Sequence, residues 1–161
     1  RRLERRFALT SEYLVKEGYA RIIKFATRSI YEAPKPITAV ILDRRPPADP
    51  AHPEFKVLKG PGNDVIATIP RYEAFTDYSR WLATEGIGFR EIAGNQGEVV
   101  VSLLVPIGYS SPVPAARVLF TQPILTMANQ QRVVLALPVA QLSNQFHQEN
   151  ASIRVEHVYD F

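Results

Sequence analysis

The three histidines, His52, His147 and His157, are the side chains best suited to bind a metal or to transfer protons near neutral pH. None of them has a second histidine two, three or four residues away, which is the spacing of most zinc and di-metal sites. The chain also contains no cysteine. Disulfides, thiolate catalysis and thiolate metal ligation are therefore excluded, and we expect neither a metal nor a cofactor.

Serine and aspartate offer the remaining catalytic chemistry. The candidate nucleophiles are Ser102, Ser110 and Ser111, but none stands in the G-x-S-x-G turn that exposes a catalytic serine. Asp43, at the end of a predicted buried strand, is the best single candidate for a general acid or base. Two arginines follow it directly, so a strand-end aspartate that accepts backbone hydrogen bonds or pairs with an arginine explains it more simply. We predict that the protein is not an enzyme.

An aromatic segment at residues 71–85 contains the first part of the predicted binding site. Tyr72, Phe75 and Leu82 fit one face of a helix, and packing against the core explains them. Tyr78 and Trp81 lie about a third of a turn away from that face. Such a pair either belongs to the core or reaches the surface, where Tyr and Trp often line a small binding pocket.

Two residues outside this segment complete the predicted pocket. Arg90 lies on the strand that follows the aromatic helix, and its guanidinium suits the recognition of a carboxylate. Tyr109 lies in the loop after the most apolar strand. The predicted ligand-binding residues are therefore Tyr78, Trp81, Arg90 and Tyr109.

The net positive charge of the chain comes from one short segment. The chain carries 19 Lys and Arg against 16 Asp and Glu, a balance of +3, and Arg1–Arg6 alone contains four Arg and one Glu. Residues 7–161 are thus neutral, whereas a nucleic-acid-binding domain needs a basic surface that follows the phosphates. We expect no nucleic-acid partner.

The first predicted element is a long helix over residues 7–31. Val15, Tyr19, Ile22 and Ile23 recur at helical spacing, and the prolines at 34 and 36 end the pattern. The elements predicted after it are a strand at 37–43, a Pro-rich loop at 44–53, a hairpin formed by 55–59 and 65–69, the helix at 71–85, strands at 89–93, 98–107, 116–125 and 132–139, a short helical segment at 141–149 and a last strand, at a sheet edge, at 153–159.

This order lacks the alternation of strand and helix that builds a parallel sheet. We predict an α+β fold in which the long N-terminal helix and the aromatic helix pack on one antiparallel sheet. Residues 7–161 form a single domain in this interpretation, and residues 1–6 form a basic stub beside it.

The predicted element order over residues 7–125 resembles that of PAS-like and Cache-like sensory domains. That resemblance implies a sensory, ligand-binding domain of a membrane-anchored signalling protein, with the ligand between the aromatic helix and the sheet. An NTF2-like arrangement is the alternative fold. The alternative function is a structural domain of a membrane-anchored secretion or conjugation assembly, which the strands after residue 125 fit better.

The expected partners are a small-molecule ligand and either further copies of the chain or subunits of a membrane complex. No apolar run approaches the roughly 18 residues of a membrane span, and the chain begins with Arg. We therefore expect a piece of a longer protein, with the span outside this sequence. Four arginines beside a span favour the cytoplasmic side, whereas sensory domains of this type favour the extracytoplasmic (periplasmic) side, which we predict.

Overall fold

Residues 36–58 and 64–159 are the part of the chain that the computed structural model describes. The predicted helix at 7–31 and the basic segment at 1–6 lie outside the described residues. So does most of the turn between the strands of the first hairpin.

The first sheet has four antiparallel strands. They are β1 (Ile37–Leu42), β2 (Lys56–Val57), β3 (Val65–Pro70) and β4 (Phe89–Ile92), in the order β2-β3-β1-β4. β1 and β3 pair along their whole length, from Ile37 opposite Pro70 to Leu42 opposite Val65. Their β-branched and aliphatic residues suit a pleated, half-buried surface.

The second sheet also has four antiparallel strands. They are β5 (Glu98–Pro106), β6 (Arg117–Pro123), β7 (Gln130–Pro138) and β8 (Arg154–Tyr159), in the order β6-β7-β5-β8. Side chains of β5 alternate along the strand, and its odd-numbered residues from Val99 to Val105 are buried in the core. The last strand lies at an edge of this sheet, as its weaker apolar pattern predicts.

The described residues contain two α-helices, α1 (Glu73–Thr84) and α2 (Leu142–Phe146), and a 3-10 turn at Val139–Gln141 leads into α2. Gly86, two residues after the last residue of α1, terminates the helix with a φ of +69°. Gly86 N–H donates to the Ala83 carbonyl and Ile87 N–H to the Leu82 carbonyl, which is the Schellman arrangement that glycine favours. Neither helix is long and apolar enough to cross a bilayer.

One contiguous core joins α1 to both sheets. It includes Leu42 and Ile69 of the first sheet, Phe75 of α1, and Leu103 and Leu135 of the second sheet, all of which are fully buried. The α+β class and the antiparallel pairing that the sequence predicts are thereby confirmed.

The strands form two sheets and not the single sheet that the sequence predicts. In particular, β4 and β5 are consecutive but do not pair, because β4 pairs with β1 while β7 and β8 occupy both edges of β5. The connection between them is a tight turn in which Asn95 N–H donates to Ile92 O, and Gly97 O then accepts the amide of Val139. The chain therefore leaves the first sheet at this turn and enters the second.

Candidate functional site

The Pro-rich loop at residues 44–53 folds onto the aromatic face of α1. The His52 ring stacks on the Trp81 indole, with centroids 4.5 Å apart and planes inclined by 14°. The rings of His52 and Tyr78 pack edge to face with their centroids 4.8 Å apart. The rings of Phe55 and Trp81 pack in the same way with their centroids 5.3 Å apart. We call His52, Phe55, Tyr78 and Trp81 the aromatic cluster.

A turn at Asp49 holds the loop in this position. One oxygen of its carboxylate accepts the Ala51 amide at 2.9 Å, and the other meets Nδ1 of His52 at 2.7 Å. The Ala51 amide, and after it the His52 ring, hold the pKa of Asp49 below its usual value. Because an ionised carboxylate only accepts, Nδ1 of His52 carries a proton and Nε2 is left facing away from Asp49.

A second contact fixes the end of the loop to α1. The Glu54 amide donates to the Tyr78 hydroxyl at 3.1 Å. Tyr78 and Trp81 are consequently only 7% and 9% exposed. Sequence reasoning placed these two residues either in the core or at the surface. Both belong to the contiguous core, and the Pro-rich loop covers them.

An open cavity of about 340 Å³ lies between the loop and the aromatic cluster. Its walls are residues 45–49 of the loop together with His52, Pro53, Phe55, Val57 and Trp81. Prolines and aromatic rings supply the apolar part of this wall, while polar atoms make up the larger part of its exposed surface. Its volume lies at the lower end of the range of small-molecule sites, which is about 300–1,000 Å³.

Arg45 and Asp49 are the charged residues of the cavity wall. Both oxygens of Asp49 are engaged by Ala51 and His52. Arg45 is exposed, and its guanidinium has no ion-pair or hydrogen-bond partner among residues 36–58 and 64–159. The cavity therefore combines aromatic rings and prolines with polar groups, among them a cation that is available to an anion.

The four predicted ligand-binding residues are not gathered in one place. Tyr78 and Trp81 are neighbours, with ring centroids 6.4 Å apart. Arg90 lies exposed on β4 and pairs with Asp64 at 3.0 Å. Tyr109 is half-buried against the core, and its hydroxyl has no hydrogen-bond partner in the described part of the chain. Trp81 is the one predicted residue that lines the cavity.

Sequence reasoning missed Arg45, Asp49 and His52 as site residues. The Pro-rich composition of residues 44–53 did predict an exposed loop of the kind that often carries function. Its Asp49-Pro50 pair is also a local turn signal. Nothing in the local pattern, however, indicated which element the loop would fold onto.

One aromatic residue departs from the predicted helix face. Tyr72, which the spacing placed with Phe75 and Leu82, is 56% exposed. It stands just before α1 with a φ of +63°, and the Arg71 guanidinium lies over its ring. Tyr72 is thus outside the helical repeat, so the helical period does not apply to it.

The other two histidines have structural contacts. Nε2 of His147 donates to the Ala83 carbonyl at 2.8 Å, near the end of α1 where carbonyls lack helical partners. His157 meets Tyr159 edge-on on β8. Within the described residues, no three His, Cys, Asp or Glu side chains converge in a way that could hold a metal ion.

The candidate catalytic residues are also in structural positions. The Asp43 carboxylate lies 3.4 Å from Nε of Arg44, and the Asp43 amide donates to the Gly88 carbonyl. Ser111 accepts the amide of Val113 within its own loop, and Ser102 is buried in β5. Ser102 lies opposite His157 in the pairing of β5 with β8, but neither serine has a hydrogen bond to a histidine among the described residues.

Arg80, which lies beside the aromatic pair in the sequence, connects α1 to the segment before β8. It donates to Glu149 at 2.8 Å, to Asp77 at 2.8 Å and to the Val155 carbonyl at 3.0 Å. The Glu149 carboxylate is the main reason why the pKa of Arg80 is raised above its usual value. This arginine is therefore committed to the fold and is not available to a ligand.

No protein-family model, curated protein or solved structure matches this chain. The function of the chain is therefore inferred from its residues and from the geometry of its described part.

Proposed function

We propose that this chain carries a non-enzymatic, ligand-binding sensory domain, and that the ligand occupies the cavity between the Pro-rich loop and the aromatic cluster. The observation that supports this proposal is Arg45, which has no ion-pair or hydrogen-bond partner within residues 36–58 and 64–159 and lies beside the aromatic rings of the cavity. A guanidinium presents a planar fork of donors that matches a carboxylate. The proposed ligand is a small carboxylate with an apolar body.

The chemistry of the wall is consistent with binding and gives no route to bond cleavage. His52 is the one ionisable side chain of the wall that could move a proton, but it is stacked on Trp81 and bonded to Asp49. Its Nε2 can instead accept or donate one hydrogen bond to a bound molecule. The ligand would therefore be recognised by Arg45, by one ring nitrogen of His52 and by contact with Trp81.

Membrane anchorage and signalling are part of the same proposal and rest on the sequence before residue 36. The amphipathic pattern at 7–31 follows the basic segment Arg1–Arg6. Such a helix would connect a sensory domain to a membrane span, with the domain on the extracytoplasmic side. The cytoplasmic side is the alternative.

Trp81 provides a direct test because it is the single tryptophan of the chain. The full chain would be titrated with benzoate and succinate, and with their uncharged amides benzamide and succinamide, while Trp81 fluorescence is recorded. We expect a saturable change with a carboxylate and none with its amide. A ligand at about 100 times its dissociation constant adds roughly 2.7 kcal/mol to the free energy of unfolding, so the melting temperature should also rise.

Two arginine variants locate the site. A hydrogen bond to a charged group contributes about 1.5–3 kcal/mol, so Arg45→Ala should weaken binding about 10-fold or more. Arg90→Ala removes an exposed arginine outside the cavity and should leave the affinity unchanged. The opposite result would place the ligand at Arg90, outside the cavity. If a broad screen of small molecules leaves fluorescence and melting temperature unchanged, the ligand-binding proposal is wrong.

The second candidate function is a structural domain of a membrane-anchored secretion or conjugation assembly. The observation that favours it is the apolar surface of β6, where Val118, Leu119 and Phe120 are all exposed. Apolar surface of this kind marks contacts with other proteins. An assembly domain would associate through this surface and would show no ligand response at Trp81.

A further inference from the structure

The turn at Asp49 determines which nitrogen of the His52 ring carries a proton. Nδ1 of His52 lies 2.7 Å from one carboxylate oxygen of Asp49, and the other oxygen accepts the Ala51 amide at 2.9 Å. The Ala51 amide, followed by the His52 ring, keeps the pKa of Asp49 low, so its carboxylate is ionised near neutral pH and can only accept. A neutral imidazole has a single N–H, and in His52 that N–H is on Nδ1.

The other ring nitrogen, Nε2, is an acceptor that is open to the cavity. The neutral ring has a lone pair at this position. Nε2 of His52 has no hydrogen-bond partner among residues 36–58 and 64–159, and it is not one of the unpaired side-chain atoms there that are fully buried. The side chain of His52 is 17% exposed, and the residue belongs to the cavity wall. A molecule in the cavity can therefore reach Nε2.

Two rings of α1 hold the imidazole in this orientation. The plane of His52 is inclined by 14° to that of Trp81 and by 83° to that of Tyr78, so one ring supports its face and the other its edge. Turning the imidazole over would place a lone pair against the ionised carboxylate of Asp49. The hydrogen bond at Nδ1 thus fixes the role of Nε2. The cavity wall therefore has a fixed acceptor as well as the cation of Arg45.

We propose that His52 determines which carboxylates the cavity accepts, and that it selects those carrying a hydroxyl or N–H group that donates to Nε2. This inference rests on the proposed function, because it concerns the ligand of the same cavity. Arg45 has only donors and would bind the carboxylate, whereas Nε2 of His52 would bind the ligand's own donor. A ligand without a donor would displace water from Nε2 and leave it unpaired.

The volume of the cavity limits the size of such a ligand. About 340 Å³ lies near the lower end of the range of small-molecule sites. A single aromatic ring with one carboxylate and one hydroxyl or amino group suits this volume, and its ring would contact Trp81. The proposed ligand class is therefore small hydroxy- or amino-substituted carboxylates.

The first test compares benzoate with 3-hydroxybenzoate and 4-hydroxybenzoate, which place the hydroxyl at two distances from the carboxylate. Their affinities for the full chain would be measured by isothermal titration calorimetry at pH 7.5. We expect at least one hydroxybenzoate to bind about 3- to 10-fold more tightly than benzoate, which is the gain from one neutral hydrogen bond. The matching methoxybenzoate, which has no donor, should lose this gain.

The second test removes the acceptor and keeps the stacked ring. His52→Phe retains an aromatic ring beside Trp81 but has no nitrogen, so benzoate and the hydroxybenzoates should bind to it with affinities that differ by less than about 2-fold. His157→Phe is the matched control, because His157 lies on β8 and is not part of the cavity wall. We expect this variant to keep the wild-type preference.

The third test uses pH and needs no variant. When the ring of His52 gains a proton, Nε2 becomes a donor, so the preference for the hydroxybenzoate should fall toward 1 between pH 7.5 and pH 5.5. The other charged or titratable side chains around the ring are Arg45 and Asp49 of the loop and Tyr78 of α1, while β2 contributes the apolar Val57. Guanidinium, carboxyl and phenol groups ordinarily change protonation outside this pH range. A change in preference would therefore report on the imidazole.

Three outcomes would overturn the proposal and leave the proposed function intact. The hydroxybenzoates could bind no more tightly than benzoate, their advantage could persist in His52→Phe, or it could be the same at pH 5.5 as at pH 7.5. The pH comparison decides the matter if His52→Phe does not fold. A chain that binds none of these carboxylates at either pH would instead overturn the proposed function, and the selectivity of His52 would fall with it.

Discussion

Asp49 connects the backbone of the Pro-rich loop to the aromatic cluster. Its carboxylate accepts the Ala51 amide and contacts the His52 ring, and His52 in turn stacks on Trp81. Because the pKa of Asp49 is lowered, these bonds are fully present at pH values above the usual pKa of 3.8. They are lost as the pH falls through the lower pKa of the folded state. The wall of the cavity is thus stable near neutral pH.

We expect Asp49→Ala to release His52 from Trp81, so that acrylamide quenches Trp81 fluorescence more strongly at pH 7. Asp49→Asn keeps one oxygen acceptor for the Ala51 amide and should give an intermediate effect. Lowering the pH from 7 through the lowered pKa of Asp49 should make the wild-type protein behave like the alanine variant, provided that circular dichroism shows it to be folded. Equal quenching in all three proteins would show that Asp49 does not hold the loop.

At the scale of elements, α1 is joined to the second sheet by a buried hydrogen bond. The Thr76 hydroxyl accepts the Val158 amide of β8 at 2.9 Å, and both residues are buried. This bond holds α1 against β8. Trp81, on the same helix, contacts the Pro-rich loop through His52. The orientation of the helix thus determines whether the cavity exists.

Thr76→Val should lower the free energy of unfolding by about 1–3 kcal/mol, because the Val158 amide would be buried without an acceptor. Thr84→Val is the matched control on the same helix, since the exposed Thr84 hydroxyl only donates to the Arg80 carbonyl one turn earlier. We expect the control to change stability by less than about 0.5 kcal/mol. Urea denaturation measures both variants, and equal losses would contradict the assignment.

At the scale of the whole molecule, one ion pair spans three strands of the second sheet. Arg132 of β7 donates to Glu156 of β8 at 2.9 Å, across the intervening β5. The hydrogen bond from Arg132 is the main reason why the pKa of Glu156 is lowered. A carboxylate whose pKa is lowered in the folded state stabilises the fold at pH values above its pKa in the unfolded chain. That stabilisation disappears as the pH falls through its pKa in the folded state.

We therefore expect the free energy of unfolding to decrease as the pH falls from 7 to 3, and Glu156→Gln should make this decrease smaller. The variant should be less stable than wild type at pH 7 and closer to it at pH 3. Glu91→Gln is the control, because the exposed Glu91 carboxylate accepts only from Gln96 in the described chain. If urea denaturation gives wild type and Glu156→Gln the same pH dependence, the ion pair does not contribute to acid sensitivity.

Features set by neighbouring residues could be predicted from the sequence alone. The strands β1, β3, β5 and β7, the end of α1 at Gly86 and the Pro-rich loop all lie where the pattern indicates. Alternation, helical period and turn chemistry act over a few residues, so a single sequence displays them. The aromatic pair Tyr78 and Trp81 was likewise recognisable, because its spacing is that of adjacent turns of one helix.

Only the tertiary structure decided which elements meet. Arg80 contacts Glu149 across 69 residues of sequence, and Glu54 contacts Tyr78 across 24. The division of the strands into two sheets, the loop over Trp81 and the open edge of β6 all depend on such distant contacts. They depend on competition among many possible partners for the same apolar surface and the same backbone groups, and no local pattern contains the result of that competition.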